Sequence, residues 1–216
     1  MRRTVGSLRR LVLAGAPIDI RAGHSQLSRM AVDAPAAAFE TLVDRGGGRV
    51  LGRDVLALWA PALAADDVAR VLQVPADIDR DRLRELETRF AAWYAWPLDM
   101  PGTYYLEVVR RLFKENQIAE GRFVALGHPV DLARVRAPMF LLAARDDEIV
   151  GPGQLLVTAG LVGTPKGAIE TTTEPCGHLS LFLGARTIEG TWQRIGHWLG
   201  RSPPSSKGMR AINSPQ

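Results

Sequence analysis

The chain has 216 residues, 46% of them hydrophobic, and a net charge of +4 at pH 7. That composition allows a sizeable buried core, while the longest apolar runs, such as residues 55–65, fall well short of the about 20 residues a membrane span needs. Cys176 is the one cysteine, which excludes an internal disulfide and fits a reducing cytoplasm, and Met1-Arg2-Arg3 leads into a run too short and too soon polar for a secretory signal.

Residues 10–19 (RLVLAGAPID) are a brief aliphatic run bounded by breakers, which predicts a buried parallel strand followed by a Gly-Ala-Pro turn. More than 100 residues of mostly helical pattern come next. Within them, residues 36–46, 80–96 and 103–118 carry apolar residues at helical period. The glycine-rich stretch 45–52 has no Gly-Lys-Ser/Thr ending and no strand before it, so it reads as a flexible connection and not as a phosphate loop. The base of the chain is nearly all arginine, Lys114, Lys166 and Lys207 being the only lysines. In residues 77–90 those arginines alternate with acids, which is the pattern of a solvated helix face and not of a nucleic-acid stripe.

Residues 138–147 predict a second strand, the mate of the first, and the alternating run 166–175 predicts an edge strand. The closing helix is placed at 187–200, with Ile188, Trp192, Ile195, Trp198 and Leu199 on its apolar face and Gly200 as C-cap. The Ser- and Pro-rich tail 201–216 is expected to be disordered. The predicted class is α/β: a partial sheet of about three parallel strands with a large helical insertion. The corresponding division is residues 1–23 for the first core strand and turn, 24–133 for the helical insertion, 134–200 for the C-terminal core, and 201–216 for the tail. An insertion of that size before an acid-bearing strand is the position of a cap that shapes a pocket and excludes water.

Asp146, Asp147 and Glu148 follow the second strand at its C-terminal end, where open α/β sheets place their chemistry. His178 follows Gly177 behind the third strand, about 30 residues downstream, in the acid-then-histidine order of α/β-hydrolases. A carboxylate there can fix the tautomer of a histidine, which can then act as general base and later as acid. The residues alone leave open which of the acids does so, and a solvated turn beside an ordinary loop histidine is the plain alternative. His24, His128 and His197 have no such setting. Cys176 lacks the sharp turn between small residues that a nucleophile needs and reads as a small buried residue. Four scattered histidines and one cysteine give no metal-ligand spacing, so no metal is expected.

What the pattern lacks is a nucleophile, since no serine or cysteine stands between glycines as Gly-x-Ser-x-Gly or Gly-x-Cys-x-Gly. The strands that would precede such an elbow are absent too, leaving the first strand with an unpaired edge. The chain is therefore expected to be the C-terminal half of a longer protein.

Residues 97–152 carry Asp99, Pro101-Gly102, Tyr104-Tyr105, Asn116, the element 127–132 (GHPVDL) and the closing run 147–152 (DEIVGP). This set resembles the C-terminal part of polyhydroxyalkanoate synthases, and residues 11–21 (LVLAGAPIDIR) also look like the strand after the nucleophile in the related intracellular depolymerases. The family's catalytic acid precedes an x-Ile-Val element, which selects Asp147 over Asp146, and its histidine lies in a Gly-His element, which matches Gly177-His178. One departure is Gly151, inserted between Val150 and Pro152. The resemblance implies a cysteine nucleophile outside this sequence and a 3-hydroxyacyl coenzyme A thioester or polyester as substrate. It implies no cofactor, and a homodimer or partner chain to supply the missing half. It further implies walls for an aliphatic ester chain from Trp59, Trp93, Trp96, Tyr104, Tyr105 and Phe113, although core packing accounts for those aromatics equally well. Hydrolysis of the same polyester, and a non-catalytic fragment, are the rival readings.

Overall fold

The computed structural model describes residues 8–59 and 65–201. Its first element, β1 (Leu11–Ala14), is followed by α1 (Gln26–Asp33), α2 (Ala36–Arg45), a short β2 (Arg49–Val50), α3 (Gly52–Trp59), α4 (Ala65–Leu72) and α5 (Arg80–Tyr94). Next come β3 (Met100–Pro101), α6 (Gly102–Val108) running on as a π-turn over Val109–Lys114, and the hairpin of β4 (Val124–Ala125) and β5 (His128–Pro129). The chain ends with β6 (Met139–Ala144), α7 (Pro152–Leu156), α8 (Thr158–Leu161), β7 (Ile169–Glu174), α9 (Ser180–Leu183), α10 (Ala185–Thr187), a π-turn over Ile188–Trp192, and α11 (Gln193–Gly200). Residues 202–216, on which the expectation of a disordered tail falls, and the side chain of Trp59 lie outside the described residues.

The sheet that matters is β1-β6-β7, with both pairings parallel. β6 is central and every one of its residues is buried. Phe140, Leu142 and Ala144 pack with Cys176, Leu181, Ile195 and Trp198 on one face, whereas Met139, Leu141 and Ala143 pack with Leu155 on the other. A parallel strand covered on both sides must be apolar throughout, which is why its sequence shows no alternation. β7, at the edge, is polar and only partly covered. Leu11 N donates to Pro138 O and Gly15 N to Leu142 O, so the odd-numbered residues of β1 face β6. The backbone groups of Val12 and Ala14 point the other way, with no strand beside them among the described residues.

The helical segment builds a separate apolar cluster from Phe39, Val50, Val55, Tyr105 and Val109. The glycine-rich stretch 45–52 belongs to it as a tight turn, not as a flexible connection. Gly47 and Gly48 take positive φ, 62° and 91°, and deliver Arg49–Val50 into a two-residue antiparallel ladder with Met100–Pro101. Asp99 Oδ1 accepts from Gly52 N at 3.0 Å and so caps α3. Asn116 ends the π-turn in the left-handed region, φ 48°, which asparagine tolerates. Its buried amide donates to Asp19 Oδ1 and accepts from Ile20 N, tying this segment to the loop after β1.

The closing helix starts at Ala185, and its buried face differs from the predicted one. Thr187, Thr191, Ile195 and Trp198 are inside, whereas Ile188 and Leu199 are 44% and 48% exposed. A π-turn holds more residues per turn than an α-helix, so the turn over Ile188–Trp192 rotates the face and puts threonines where a straight helix would bury isoleucine. Among the described residues, no helix is long and apolar enough to cross a membrane.

Candidate active site

Backbone pairing outlasts the strands at their C-terminal ends: Arg145 N donates to Glu174 O and Asp146 N to Cys176 O. This keeps the acidic cluster and the Gly177-His178 loop side by side. The chain then turns, leaving Asp146 and Glu148 exposed and carrying the Asp147 carboxyl inside, at 0% exposure. Asp147 Oδ1 accepts from Ile149 N at 2.8 Å and from Val150 N at 2.7 Å, and Oδ2 lies 2.8 Å from His178 Nδ1. A carboxylate only accepts, so Nδ1 carries the hydrogen and Nε2 is left with its lone pair. The two expected residues thus meet as a hydrogen-bonded pair, and both oxygens of the acid are occupied.

The imidazole is held from three sides. Asp147 fixes its Nδ1 edge, the Phe182 ring stands edge-on at 5.7 Å between centroids, and the backbone of Gly15 closes the remaining wall. Phe182 in turn packs against Trp192, whose indole N–H donates to Leu181 O at 2.6 Å. Gly15 has φ +51°, and a Cβ there would stand 3.0 Å from His178 Cε1 and 3.3 Å from Nδ1. Gly15→Ala is expected to displace the ring by a few tenths of an ångström and to cost about 1–2 kcal/mol of stability. The displacement is read as an upfield move of the far-downfield Nδ1–H proton resonance; an unmoved resonance would show that Gly15 does not set the ring.

The loop bearing Asp147 is stapled to the loop after β1. Ser25 Oγ donates to Ile149 O at 2.8 Å and accepts from Ser28 N, so this serine is spent on capping α1. Gln154, fully buried, accepts from Gly151 N and donates to Ile20 O, while its own carbonyl takes Ile18 N and Asp19 N. The inserted Gly151 is the N-cap of α7, with Pro152 at the first helical position. Gly15, Ser25, Gln154 and Gly153 all support the pair and none was singled out from sequence. The only signal was the unusual Gly-Pro-Gly run at residues 151–153.

Cys176 sits within the Phe140, Leu142 and Leu181 cluster. Burial pushes its thiol up from the ordinary range, and the nearby Glu174 and Asp147 charges add to this against a hydrogen bond with Thr187. The folded chain therefore keeps a thiol proton that the unfolded chain has released at alkaline pH. This contribution to stability is complete below the ordinary thiol range and is lost as pH rises through the raised value. Iodoacetamide at pH 8 is expected to leave Cys176 unmodified in the native chain and to label it fully in denaturant; rapid native labelling would contradict its burial. His24, His128 and His197 are exposed. Among the described residues no group of three metal-ligating side chains converges. Of the aromatics expected to wall an acyl site, Tyr105 is buried in the helical cluster, while Trp93, Trp96 and Tyr104 are exposed.

Residues 68–199 match the family model described as PHB de-polymerase C-terminus. The chain is 24% identical over 200 residues to the Poly(3-hydroxyalkanoate) polymerase subunit PhaC of Synechocystis sp., covering 89% of this chain and 51% of that one. It is 22% identical over 198 residues to the subunit of the same name from Allochromatium vinosum, with 89% and 53% covered. The chain thus spans about half the length of these relatives. A solved monoacylglycerol lipase from Paleococcus ferrophilus superposes with a TM-score of 0.52 at 13% identity, covering 90% of this chain and 59% of that one. That likeness is one of fold, a partial α/β-hydrolase sheet.

Proposed function

The chain belongs to the PHB de-polymerase C-terminus family, and from that premise we propose that Asp147 and His178 are the acid and base of an acyl-transferring triad in a polyhydroxyalkanoate synthase-like protein. The observation that carries this reading is the buried Asp147 carboxyl, which spends Oδ1 on two backbone N–H groups and Oδ2 on His178 Nδ1. Such an acid holds one tautomer and stabilises the imidazolium that forms when Nε2 takes a proton. The nucleophile, a cysteine thiol by resemblance to the synthases, arrives on a parallel strand added to the open edge of β1, beside Gly15 and the imidazole. His178 removes the thiol proton, and the sulfur attacks the carbonyl of a 3-hydroxyacyl coenzyme A thioester. Coenzyme A leaves as its thiol with the proton from His178, which then deprotonates the hydroxyl of a growing polyester end for the second transfer.

The second reading, ester hydrolysis, draws on the depolymerase description of the matched family and differs only in that water replaces the polymer hydroxyl. Both are tested by assaying this chain with and without a polypeptide that carries a strand ending in Gly-x-Cys-x-Gly, using 3-hydroxybutyryl coenzyme A and following thiol release. Release that requires both components, and that His178→Ala removes, is the expected result. Polymer as product favours transfer and free 3-hydroxy acid favours hydrolysis. Release that survives His178→Ala would overturn the assignment of the base.

A further inference from the structure

Lys114 ends the π-turn of the helical segment and is one of three lysines in a chain otherwise furnished with arginine. Its ammonium is half-buried and donates to two neutral acceptors, Val32 O at 3.0 Å and Ala34 O at 2.5 Å. It also stands over the Phe39 ring, 5.6 Å from the centroid, so its charge meets neutral carbonyls and a ring face but no carboxylate among the described residues. Lys114 lines a half-open cavity of about 260 Å³ together with one face of α1 and with Ile20 and Arg21. Arg29 and His24 line the same cavity. Among the described residues no carboxylate forms an ion pair with Lys114 or with Arg29, whereas Arg21, also on the wall, is engaged by Glu120 at 2.5 Å. Among the described residues Asp33 is the only acid on the wall, beside Arg29 and Lys114 without an acid partner.

We infer that this cavity between α1 and Lys114 is a binding site for the phosphoryl group of a phosphate monoester. Such a group carries about two negative charges at neutral pH and several acceptor oxygens, which matches an ammonium and a guanidinium that have no acid partner. A water takes about 30 Å³, so the cavity has room for the phosphoryl group and part of what it is attached to. The site lies next to the proposed chemistry: it contains neither Asp147 nor His178, but shares Ser28 and Ile20 with the bonds that hold the Asp147 loop. Ser25 and Leu27 hold the Asp147 loop through Ile149 O and Glu148 O, while Ser28, Arg29 and Val32, from the neighbouring face of the same helix, line the cavity. Ligand occupancy would therefore be felt through α1.

The test is calorimetric titration of the full chain with inorganic phosphate, adenosine 3′,5′-bisphosphate and coenzyme A at fixed ionic strength. Saturable one-site binding by at least one of them is expected. Arg29→Ala should weaken it by about tenfold or more, the worth of a hydrogen bond to a charged group. Arg29 is exposed and supports no other residue, so this variant should keep the wild-type melting temperature; Arg29→Lys, which retains the charge, should recover part of the affinity. Equal affinity for the three ligands identifies a free-phosphate site, and tighter binding of the two nucleotides identifies a docking point for the thioester carrier. That second outcome rests on the acyl-transfer reading, yet the titration involves no turnover, so failure of one leaves the other standing. No saturable binding up to about 10 mM, or unchanged affinity in Arg29→Ala, would overturn the inference.

Discussion

On the proposed reading, replacing Asp147 with asparagine is expected to lower acyl transfer in the two-component assay by about 10⁴-fold while leaving the fold in place. The asparagine oxygen can keep the Ile149 and Val150 N–H groups, which donate to Oδ1 in the native chain at 2.8 and 2.7 Å. Its amide nitrogen then faces His178 Nδ1. Two donors cannot share that contact, so Nδ1 must give up its hydrogen and accept, and the ring hydrogen moves to Nε2. The imidazole is then of the wrong tautomer to take a proton from a thiol or a hydroxyl. The loss should fall on kcat and not on KM, because nothing that holds the acyl chain has changed. The tautomer can also be read without turnover, from the nitrogen-15 shifts of the ring. Transfer within tenfold of the native chain, with the native tautomer retained, would exclude Asp147 as the orienting acid. Asp147→Ala is a harsher change. It strands two backbone N–H groups that were satisfied in a buried position, at about 1–3 kcal/mol each, so loss of activity there would mix chemistry with unfolding.

A large structural effect is expected at Gly153, where a Cβ would overlap the carbonyl oxygen of Ala22. The obstacle is backbone on both sides, so no rotamer change relieves it. The two loops would have to part, and with them the bonds from Ile18 N and Asp19 N to Gln154 O and from Gln154 Nε2 to Ile20 O. Gly153→Ala should therefore cost about 3 kcal/mol and lower Tm on the order of 10 °C for a chain of this size. Gly160→Ala supplies the control: nothing lies within 4 Å of a Cβ there, and it is expected to be neutral or slightly stabilising. Urea unfolding compares them directly. A cost for Gly153→Ala below about 1 kcal/mol would mean that the two loops are not locked together.

The parts of the molecule that could be read from sequence are those with an unambiguous physical signature. Residues 139–144 form an apolar run too short for a helix and are the central strand. The order of Asp147 and His178 along the chain placed them at adjacent strand ends. Choosing Asp147 over Asp146 needed the family resemblance. Pattern alone does not say which of two consecutive acids will turn inward, and in the fold this is decided by the N–H groups of Ile149 and Val150. α1 was invisible for a different reason. It is eight residues long, shorter than the window of about 11–18 over which a helical period stands out, and its buried face is only Leu27, Ser28 and Ala31. Gln154 was overlooked because a glutamine is ordinarily a surface residue, and it is buried here only because both ends of its amide find backbone partners. The apolar face of the closing helix was misjudged because a π-turn cannot be seen in a pattern counted at 3.6 residues per turn.

The open edge of β1 also restricts symmetry. Two copies joined there about a twofold axis could form a ladder only if the two strands ran antiparallel, since a twofold lying along the strands sets N–H against N–H. The product would be a six-stranded sheet with its two Asp147–His178 pairs at opposite ends. Neither copy could then present anything to the imidazole of the other. On the proposed reading, a symmetric dimer through this edge would occupy the position assigned to the incoming strand, whereas an asymmetric, parallel guest would leave the imidazole open to a thiol.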